Sequence, residues 1–275
     1  MSTKLKFLGV AGFEIAWPGR RILIDPYFID HPAAPVQPDE VRTPDVILVT
    51  HAAWDHYGET ASIAKRTGAP VVCGGEVRAM LLDQGLPSEQ IRATTWGIVV
   101  EVGGVVIRPV ECHHWSQGRL SDGTYVTGMP MGFIVETEPG IRIYHYGDTA
   151  IFSDMRLIAR LYRPTVGLLG CSQPQELLPQ VPGPGRILTG EMTPDEAALA
   201  AEFLGLRVAI ACHYYDVSHP DVQQFLELVP KHDTTGTRQA IAPRVGETLT
   251  LETNDGGDTI RVHRPHPASR SRSER

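Results

Sequence analysis

Four short apolar segments of this sequence end at, or just before, a histidine or an aspartate. Residues 45–50 form a nearly continuous apolar run that leads directly into His51. A run of this length, bounded by turn residues, is typical of a strand buried on both faces. The other three segments end close to His114, Asp148 and His213. Since matching ends of neighbouring strands converge, we expect these side chains to gather around a cation.

The loop after the first of these strands carries the densest set of candidate ligands. It reads T-H-A-A-W-D-H over residues 50–56, so that His51 is followed closely by Asp55 and His56. Imidazole nitrogen and carboxylate oxygen together suit borderline divalent metals such as zinc. Taken alone, this loop is equally compatible with a hydrogen-bonded turn. The three further strand ends favour a metal site.

Strands and short helices alternate along both halves of the chain. This alternation predicts an α/β protein with two mixed sheets packed face to face and helices outside. Ser153 is expected to cap a helix, and residues 193–196 (T-P-D-E) predict another helix that begins with a capping box. The 275 residues favour one domain over 1–264, followed by a polar tail, 265–275, that is expected to be disordered.

Composition bears mainly on partners and location. The net charge is -7 and the body of the chain has no basic run, which argues against a nucleic-acid partner. The 4 cysteines are far apart with no C-x-x-C pair, which fits a reducing cytoplasm. With neither a leader-like apolar segment nor a stretch of ~20 apolar residues, we expect no membrane partner. The predicted partner is a small-molecule substrate in the cytoplasm, and the sequence does not predict an oligomeric state.

Together, these motifs resemble the metallo-β-lactamase superfamily, in the branch that resembles ascorbate-6-phosphate lactonase and N-acylphosphatidylethanolamine phospholipase D. The superfamily pattern is T-H-x-H-x-D-H-x-G, a downstream histidine, G-D-T, and a late histidine after an apolar strand. The chain matches it in order between Leu5 and His213. The H-W-S stretch at residues 114–116, with Arg119 nearby, is similar to the phospholipase-like members. The resemblance implies an αββα sandwich of two mixed sheets with helices on the outer faces and metals at the sheet edge.

The resemblance also implies a set of metal ligands. His51 and His114 would belong to the first site. Asp55, His56 and His213 would belong to the second site. Asp148 would bridge the two.

The sequence departs from the pattern at Ala53, which stands where the family has its second histidine. Since alanine cannot ligate, the first site loses an imidazole while the second keeps its full set. Three outcomes remain open: one ion at the second site, two ions with the first held weakly by His51, His114, Asp148 and water, or substitution by His113. The metal is expected to be a divalent ion, zinc foremost, with manganese or iron as alternatives.

Three functions are compatible with these residues. The first is hydrolysis, by metal-activated water, of a lactone, an amide or another cyclic acyl compound. The second is a phosphodiesterase of the phospholipase-D-like branch, and the third is a non-catalytic metal-binding or regulatory protein with a degraded first site. Catalytic roles are predicted for Asp55 and Asp148, which would orient the water or accept its proton. His113 or Tyr214 would stabilise an oxyanion or protonate a leaving group, and Glu191 is a candidate to face the cleft.

Other residues are predicted to play supporting parts. Asp25 lies at a position that the family often fills with aspartate, so it is expected to support the ligands or the structure. Strand alternation points Cys112 and Cys212 away from the metal, as small core residues. Trp54 could wall the pocket or belong to the core. His31 lies in a polar segment and is predicted to be solvated.

Overall fold

The computed structural model describes residues 2–172, 183–254 and 259–264. The tail that is predicted to be disordered, and part of the Pro- and Gly-rich loop before the capping box, lie outside these residues. The strands are β1 Thr3–Gly9, β2 Gly12–Trp17, β3 Arg20–Ile24, β4 Val46–Leu48, β5 Val71–Cys73, β6 Ile91–Ala93, β7 Val100–Val102, β8 Val105–Val110, β9 Ser116–Arg119, β10 Tyr125–Gly128, β11 Gly132–Glu138, β12 Ile141–His145, β13 Val166–Gly170, β14 Val208–Cys212, β15 Gln239–Ile241, β16 Thr248–Thr253 and β17 Ile260–His263. The α-helices are α1 Trp54–Tyr57, α2 Thr60–Thr67, α3 Gly75–Asp83, α4 Met155–Tyr162, α5 Pro194–Phe203 and α6 Pro220–His232.

The strands form two large mixed sheets and one hairpin. The first sheet has 8 strands in the order β17-β16-β1-β2-β3-β4-β5-β6, and the second has 7 in the order β15-β14-β13-β12-β11-β8-β7. Strands β3 to β6 of the first sheet are parallel, and so are β12 to β15 of the second. The hairpin pairs β9 with β10. Each sheet therefore has a parallel half whose strands carry their carboxyl ends to one edge.

The apolar runs of the parallel strands are buried on both faces. In β3, Ile22 and Ile24 belong to the core between the sheets, while Leu23 packs with the helix layer. Strand β4 repeats the pattern, with Leu48 towards the second sheet and Ile47 towards the helices. Successive strand residues point to opposite faces, so a continuous apolar run is needed where both faces are covered.

Helices cover the outer face of each sheet. On the first sheet, α2 and α3 contribute Ile63 and Leu81 to the outer core. On the second, α5 and α6 contribute Ala201 and Phe225. The predicted αββα sandwich of two mixed sheets is thereby confirmed. None of the described helices combines the length and the apolar character needed to cross a membrane.

Two helix starts test the capping predictions. Helix α5 begins with the predicted capping box: Thr193 N–H donates to Glu196 Oε2 at 2.8 Å, and Glu196 N–H donates to Thr193 Oγ1. The prediction that Ser153 caps α4 is wrong, because Asp154 takes that position without a side-chain cap. The hydroxyl of Ser153 instead donates to the Asp154 carboxylate at 3.1 Å, and the backbone carbonyl of Ser153 accepts the N–H of Arg156.

Candidate metal centre

Backbone hydrogen bonds join the two sheets at the edge where their parallel strands end. The N–H of Met131, before β11, donates to the carbonyl of Thr50 after β4 at 3.1 Å. The N–H of His213, after β14, donates to the carbonyl of Val10 between β1 and β2 at 2.6 Å. Asp148 and His213 have φ values of 59° and 67°, a left-handed conformation that is uncommon outside glycine. These turns carry both side chains back over the strand ends.

Three predicted ligands gather around the carboxylate of a fourth, Asp148. Oδ2 of Asp148 lies 3.0 Å from Nε2 of His56 and 3.3 Å from Nε2 of His213. Oδ2 of Asp55 lies 3.9 Å and 3.7 Å from the same two nitrogens. All four side chains are buried.

The remaining two predicted ligands extend this cluster on one side. His51 offers a ligand atom that lies within 4.8 Å of those of His56 and Asp148. Its ring centroid is 4.1 Å from that of His56 and 5.1 Å from that of His114. His114 is half-buried and adjoins the exposed Trp115. The structure therefore brings all six predicted ligands together, with His114 at the open side.

Asp25 orients His56 from behind. Its Oδ1 accepts the backbone N–H of Thr50 at 2.9 Å, and its Oδ2 accepts the Thr50 hydroxyl at 2.8 Å. The same Oδ2 lies 2.9 Å from Nδ1 of His56. Since Nδ1 then carries a proton, Nε2 is the nitrogen left to bind a cation, and it faces the cluster.

Two further buried groups hold the opposite side of the cluster. The carboxylate of Glu191 contacts Nδ1 of His213, and the hydroxyl of Tyr146 donates to Oδ1 of Asp148. Glu191 was a candidate from the sequence. Tyr146 was not, because a tyrosine directly after an apolar strand carries no local sign that its hydroxyl reaches a ligand.

The loop that carries His51 is anchored from the hairpin. The N–H of Ala52 donates to the Ser116 hydroxyl at 3.0 Å, and that hydroxyl donates to Oε1 of the buried Glu76 at 2.6 Å. Ala53 is half-buried, and its carbonyl accepts the N–H groups of His56 and Tyr57 at the start of α1. This one-turn helix is what turns the side chains of residues 55 and 56 towards the strand ends.

Unpartnered imidazole nitrogens are the strongest sign of a cation site. Nε2 of His51, His56 and His213 are all buried, and none of them makes a hydrogen bond of good geometry. A buried polar atom without a partner is costly, and a cation between these nitrogens and the carboxylates removes that cost. The donor set of imidazoles and carboxylates is one that zinc, manganese and iron accept. The residues therefore fit a divalent metal.

The electrostatics keep several groups in their coordinating forms. Burial alone raises the pKa of Asp148, but the charges of His213 and His56 outweigh it and hold the pKa well below its usual value. Burial and the charge of His56 lower the pKa of His51 well below its usual value, and burial lowers that of His114. Asp148 is thus ionised and these two imidazoles are neutral, as metal ligation requires.

His56 and His213 behave differently from the other two imidazoles. Burial alone lowers the pKa of each, yet Asp148 and the neighbouring carboxylates raise both values well above the usual one. Nε2 of each of these two imidazoles therefore binds a cation that the carboxylates attract, which is either a proton or a metal ion.

The residues proposed for the oxyanion or leaving group do not lie against the cluster. Nε2 of His113 is 2.8 Å from Oε1 of Glu111, and its ring stacks on Phe152 with centroids 4.4 Å apart. The hydroxyl of Tyr214 donates to the carbonyl of Pro243 at 2.7 Å. His113 is also half-exposed, which separates it from the buried nitrogens of the cluster.

Several supporting predictions have clear outcomes. Cys112 and Cys212 are buried core residues, as predicted. The prediction that His31 is solvated is wrong, because its loop folds back over β1 and only 4% of the residue is exposed. The ring of His31 occupies space that is open because Gly9 has no side chain, and this ring contacts Tyr27 and Tyr215.

Two tryptophans form an apolar rim beside the ligands. Trp54, next to Asp55, is 42% exposed, and its ring packs edge-on to Tyr27 with centroids 5.4 Å apart. Trp115, next to His114, is 54% exposed. Tryptophan contributes a large apolar surface, and exposed apolar surface beside a polar site commonly receives a ligand.

Comparison with known proteins places this geometry in a family. Residues 20–214 match the model of the β-lactamase superfamily domain. A UPF0173 metal-dependent hydrolase from Rubrobacter xylanophilus is 39% identical over 214 residues, which cover 77% of this chain and 81% of that protein. Another from Nitratidesulfovibrio vulgaris is 33% identical over 94% of this chain and 99% of its own length. The solved structure of Igni18, a metallo hydrolase from Ignicoccus hospitalis, is 26% identical with a TM-score of 0.71 and covers 92% of this chain and 100% of its own.

Proposed function

The chain belongs to the metallo-β-lactamase superfamily and is a metal-dependent hydrolase, and from that premise we propose that its substrate is a small, uncharged acyl compound such as a lactone or an amide. The observation that carries the proposal is the cluster of buried imidazoles and carboxylates, open at Trp54 and His114. Its placement within the lactonase-like branch stays a prediction.

In this proposal, Asp55, His56, Asp148 and His213 hold one divalent ion, with zinc the first metal to test. They are the ligands of the second predicted site, which keeps its full set. His51 and His114 remain for a second, weaker ion, because Ala53 supplies no third imidazole. When bound, a divalent ion supplies a Lewis acid and lowers the pKa of a coordinated water to ~7.

The two carboxylates of the cluster, Asp148 and Asp55, have different roles in this proposal. Asp148 is fixed by Tyr146 at Oδ1 and by two imidazoles at Oδ2, so its part is to hold position. Asp55 stands at the start of α1, next to Trp54, which is 42% exposed and forms part of the rim of the cluster. Oδ2 of Asp55 faces the imidazoles of His56 and His213, so we assign to its other carboxylate oxygen, Oδ1, the acceptance of the proton that the attacking water releases.

The charge around the cluster favours an uncharged substrate over a phosphodiester. The leading electrostatic neighbours of Asp148 and His213 are imidazoles and carboxylates, with no arginine or lysine among them. The guanidinium of Arg119, which suggested a phosphodiesterase, lies 5.9 Å from the ring centroid of Tyr125 on the hairpin. Within the described residues, an anionic phosphodiester would therefore meet the carboxylates of the cluster, and neither lysine nor arginine is among the leading electrostatic neighbours of Asp148 and His213. A lactone or amide brings no such repulsion and can place its apolar part against the tryptophans.

The test is a panel of substrates offered to the purified, metal-loaded protein. We expect hydrolysis of lactones or aryl amides, little hydrolysis of bis-p-nitrophenyl phosphate, and loss of activity on chelation. His56→Ala serves as the matched control that removes a ligand. Turnover of the phosphodiester without turnover of any acyl compound would replace this proposal with a phosphodiesterase.

A further inference from the structure

Glu191 has no part in the superfamily pattern, yet its carboxylate is buried directly against one of the candidate ligands. It is only 6% exposed and contacts Nδ1 of His213. The opposite nitrogen of that ring, Nε2, faces Asp148 at 3.3 Å and Asp55 at 3.7 Å. The imidazole is therefore held between a carboxylate behind it and the candidate metal position in front.

The fold makes room for this carboxylate at a particular place. A side chain at Gly170, the last residue of β13, would collide with Oε2 of Glu191 and with the ring of Tyr146. Tyr146 in turn donates its hydroxyl to Asp148. A glycine at the end of β13 thus leaves a cradle in which Glu191 and Tyr146 lie together behind two candidate ligands.

The arrangement repeats one found on the other side of the cluster. Asp25 lies against Nδ1 of His56, whose Nε2 faces Asp148, just as Glu191 lies against Nδ1 of His213. His51 differs, since the hydrogen-bonding partner of its Nδ1 among the described residues is the hydroxyl of Thr50, at 3.0 Å. The second predicted site therefore has a carboxylate behind each of its imidazoles, whereas His51 has a hydroxyl.

We infer that Glu191 is a positioning residue that accepts the Nδ1–H of His213 and so commits Nε2 to the metal. The inference rests on the proposed metal site. A carboxylate behind a ligating histidine fixes the ring and its tautomer and makes the opposite nitrogen more basic, and its loss typically costs ~10–100-fold in metal affinity. Glu191 strengthens the second site in the chain whose first site lost an imidazole at Ala53.

The test compares zinc dissociation constants, measured by competition with a chromophoric chelator, across variants of the full chain. Glu191→Ala should weaken zinc binding by ~10–100-fold. Glu191→Gln keeps an oxygen that can accept the Nδ1–H and should recover part of the loss. In the zinc-loaded wild type, the His213 Nδ1–H should give a solvent-protected imidazole proton resonance, which Glu191→Ala should abolish.

The matched control is Glu196→Ala in the same segment. Glu196 closes the capping box of α5 through Thr193, so this variant should lower the melting temperature and leave the zinc affinity unchanged. The inference is overturned if Glu191→Ala keeps wild-type affinity, or if Glu196→Ala weakens zinc binding equally, which would mean that the segment merely loosens. Wild-type affinity in Glu191→Ala together with lost binding in His56→Ala would refute the inference and leave the metal site standing. A wild type that binds no divalent metal would refute both.

Discussion

Replacing Asp25 with asparagine changes one buried oxygen into an NH₂ group and should move a proton on His56. Oδ1 of Asp25 accepts a fixed backbone N–H, so the asparagine oxygen takes that place and its nitrogen faces His56. Nδ1 of His56 must then act as the acceptor, and its proton moves to Nε2. Nε2 is the atom that faces Asp148, so the ring would present an N–H where a ligand is needed.

The size of the effect can be estimated from these contacts. Holding a ligating histidine in the wrong tautomer should weaken metal binding by ~10–100-fold, or about 1.4–2.7 kcal/mol. Hydrogen bonds to a charged group contribute ~1.5–3 kcal/mol and neutral ones ~0.5–1.5 kcal/mol, so Asp25→Asn should lower the free energy of unfolding by roughly 1–3 kcal/mol. The backbone conformation is no obstacle, because φ of Asp25 is 45° and asparagine tolerates this region better than most residues.

Alanine is a poorer choice at this position. Asp25→Ala would orphan the donors of Thr50 and His56 that now bind the carboxylate, at ~1–3 kcal/mol for each buried group. Set against a typical total stability of ~5–15 kcal/mol, that loss risks unfolding the chain. Asparagine separates the effect on the ligand from the effect on the fold.

The assay pairs zinc affinity with thermal denaturation. Asp45→Asn is the matched control, since Asp45 also accepts a backbone N–H, from Arg21, but lies at the other end of β4. We expect both variants to lose some stability and only Asp25→Asn to lose metal affinity. Unchanged affinity in Asp25→Asn, with the His56 ring nitrogens showing the wild-type protonation by ¹⁵N NMR, would refute the reasoning.

Three further predictions address other parts of the molecule. Ala53→His should raise the metal content per chain from about one to about two by elemental analysis, because it restores the missing imidazole; equal content in both proteins would show that another group already replaces it. Burial alone raises the pKa of Asp233, but hydrogen bonds from Arg238 and its neighbours outweigh it and hold the pKa well below its usual value. The stabilisation is therefore present above ~pH 4 and is lost as the pH falls below it, so Asp233→Asn should lower the melting temperature at pH 7 and differ progressively less from wild type towards pH 2. Trp54→Ala should raise KM for substrates with aryl groups more than for alkyl ones and leave the metal affinity unchanged; equal effects on both classes would exclude a stacking role.

The ligands could be predicted from sequence because their signal is local. The four strands that precede the ligands are largely apolar, and each ends within a few residues of an imidazole or a carboxylate, so the sheet edge follows from the chain order. The positions of Glu191 and Tyr146 depend instead on how β13 leaves space at Gly170, which is a property of the packed structure. The sequence placed Glu191 near the cleft but did not identify the ligand it supports.

Other elements went unpredicted for two different reasons. The β9–β10 hairpin has few apolar residues and packs against α3. The side chain of Glu76 fills the space left by the missing side chain at Gly128, and the side chain of Met80 fills the space at Gly118. Such tertiary support leaves little trace in a single sequence. Helix α6 did carry a usable sign, because Val222, Phe225 and Val229 are its buried residues at helical spacing and Pro220 occupies its first turn.

The candidate ligands come from both sheets, and this ties the supply of metal to the lifetime of the chain. His51, Asp55 and His56 follow a strand of the first sheet, whereas Asp148 and His213 follow strands of the second. An unfolded chain offers no comparable site, so a bound ion links the two sheets and stabilises only the folded state. It raises the free energy of unfolding by mass action, by ~2.7 kcal/mol when the free metal concentration is 100 times the dissociation constant. A cell short of the metal would hold a protein that is easier to open and to degrade, and would lose it by turnover as well as by inactivity.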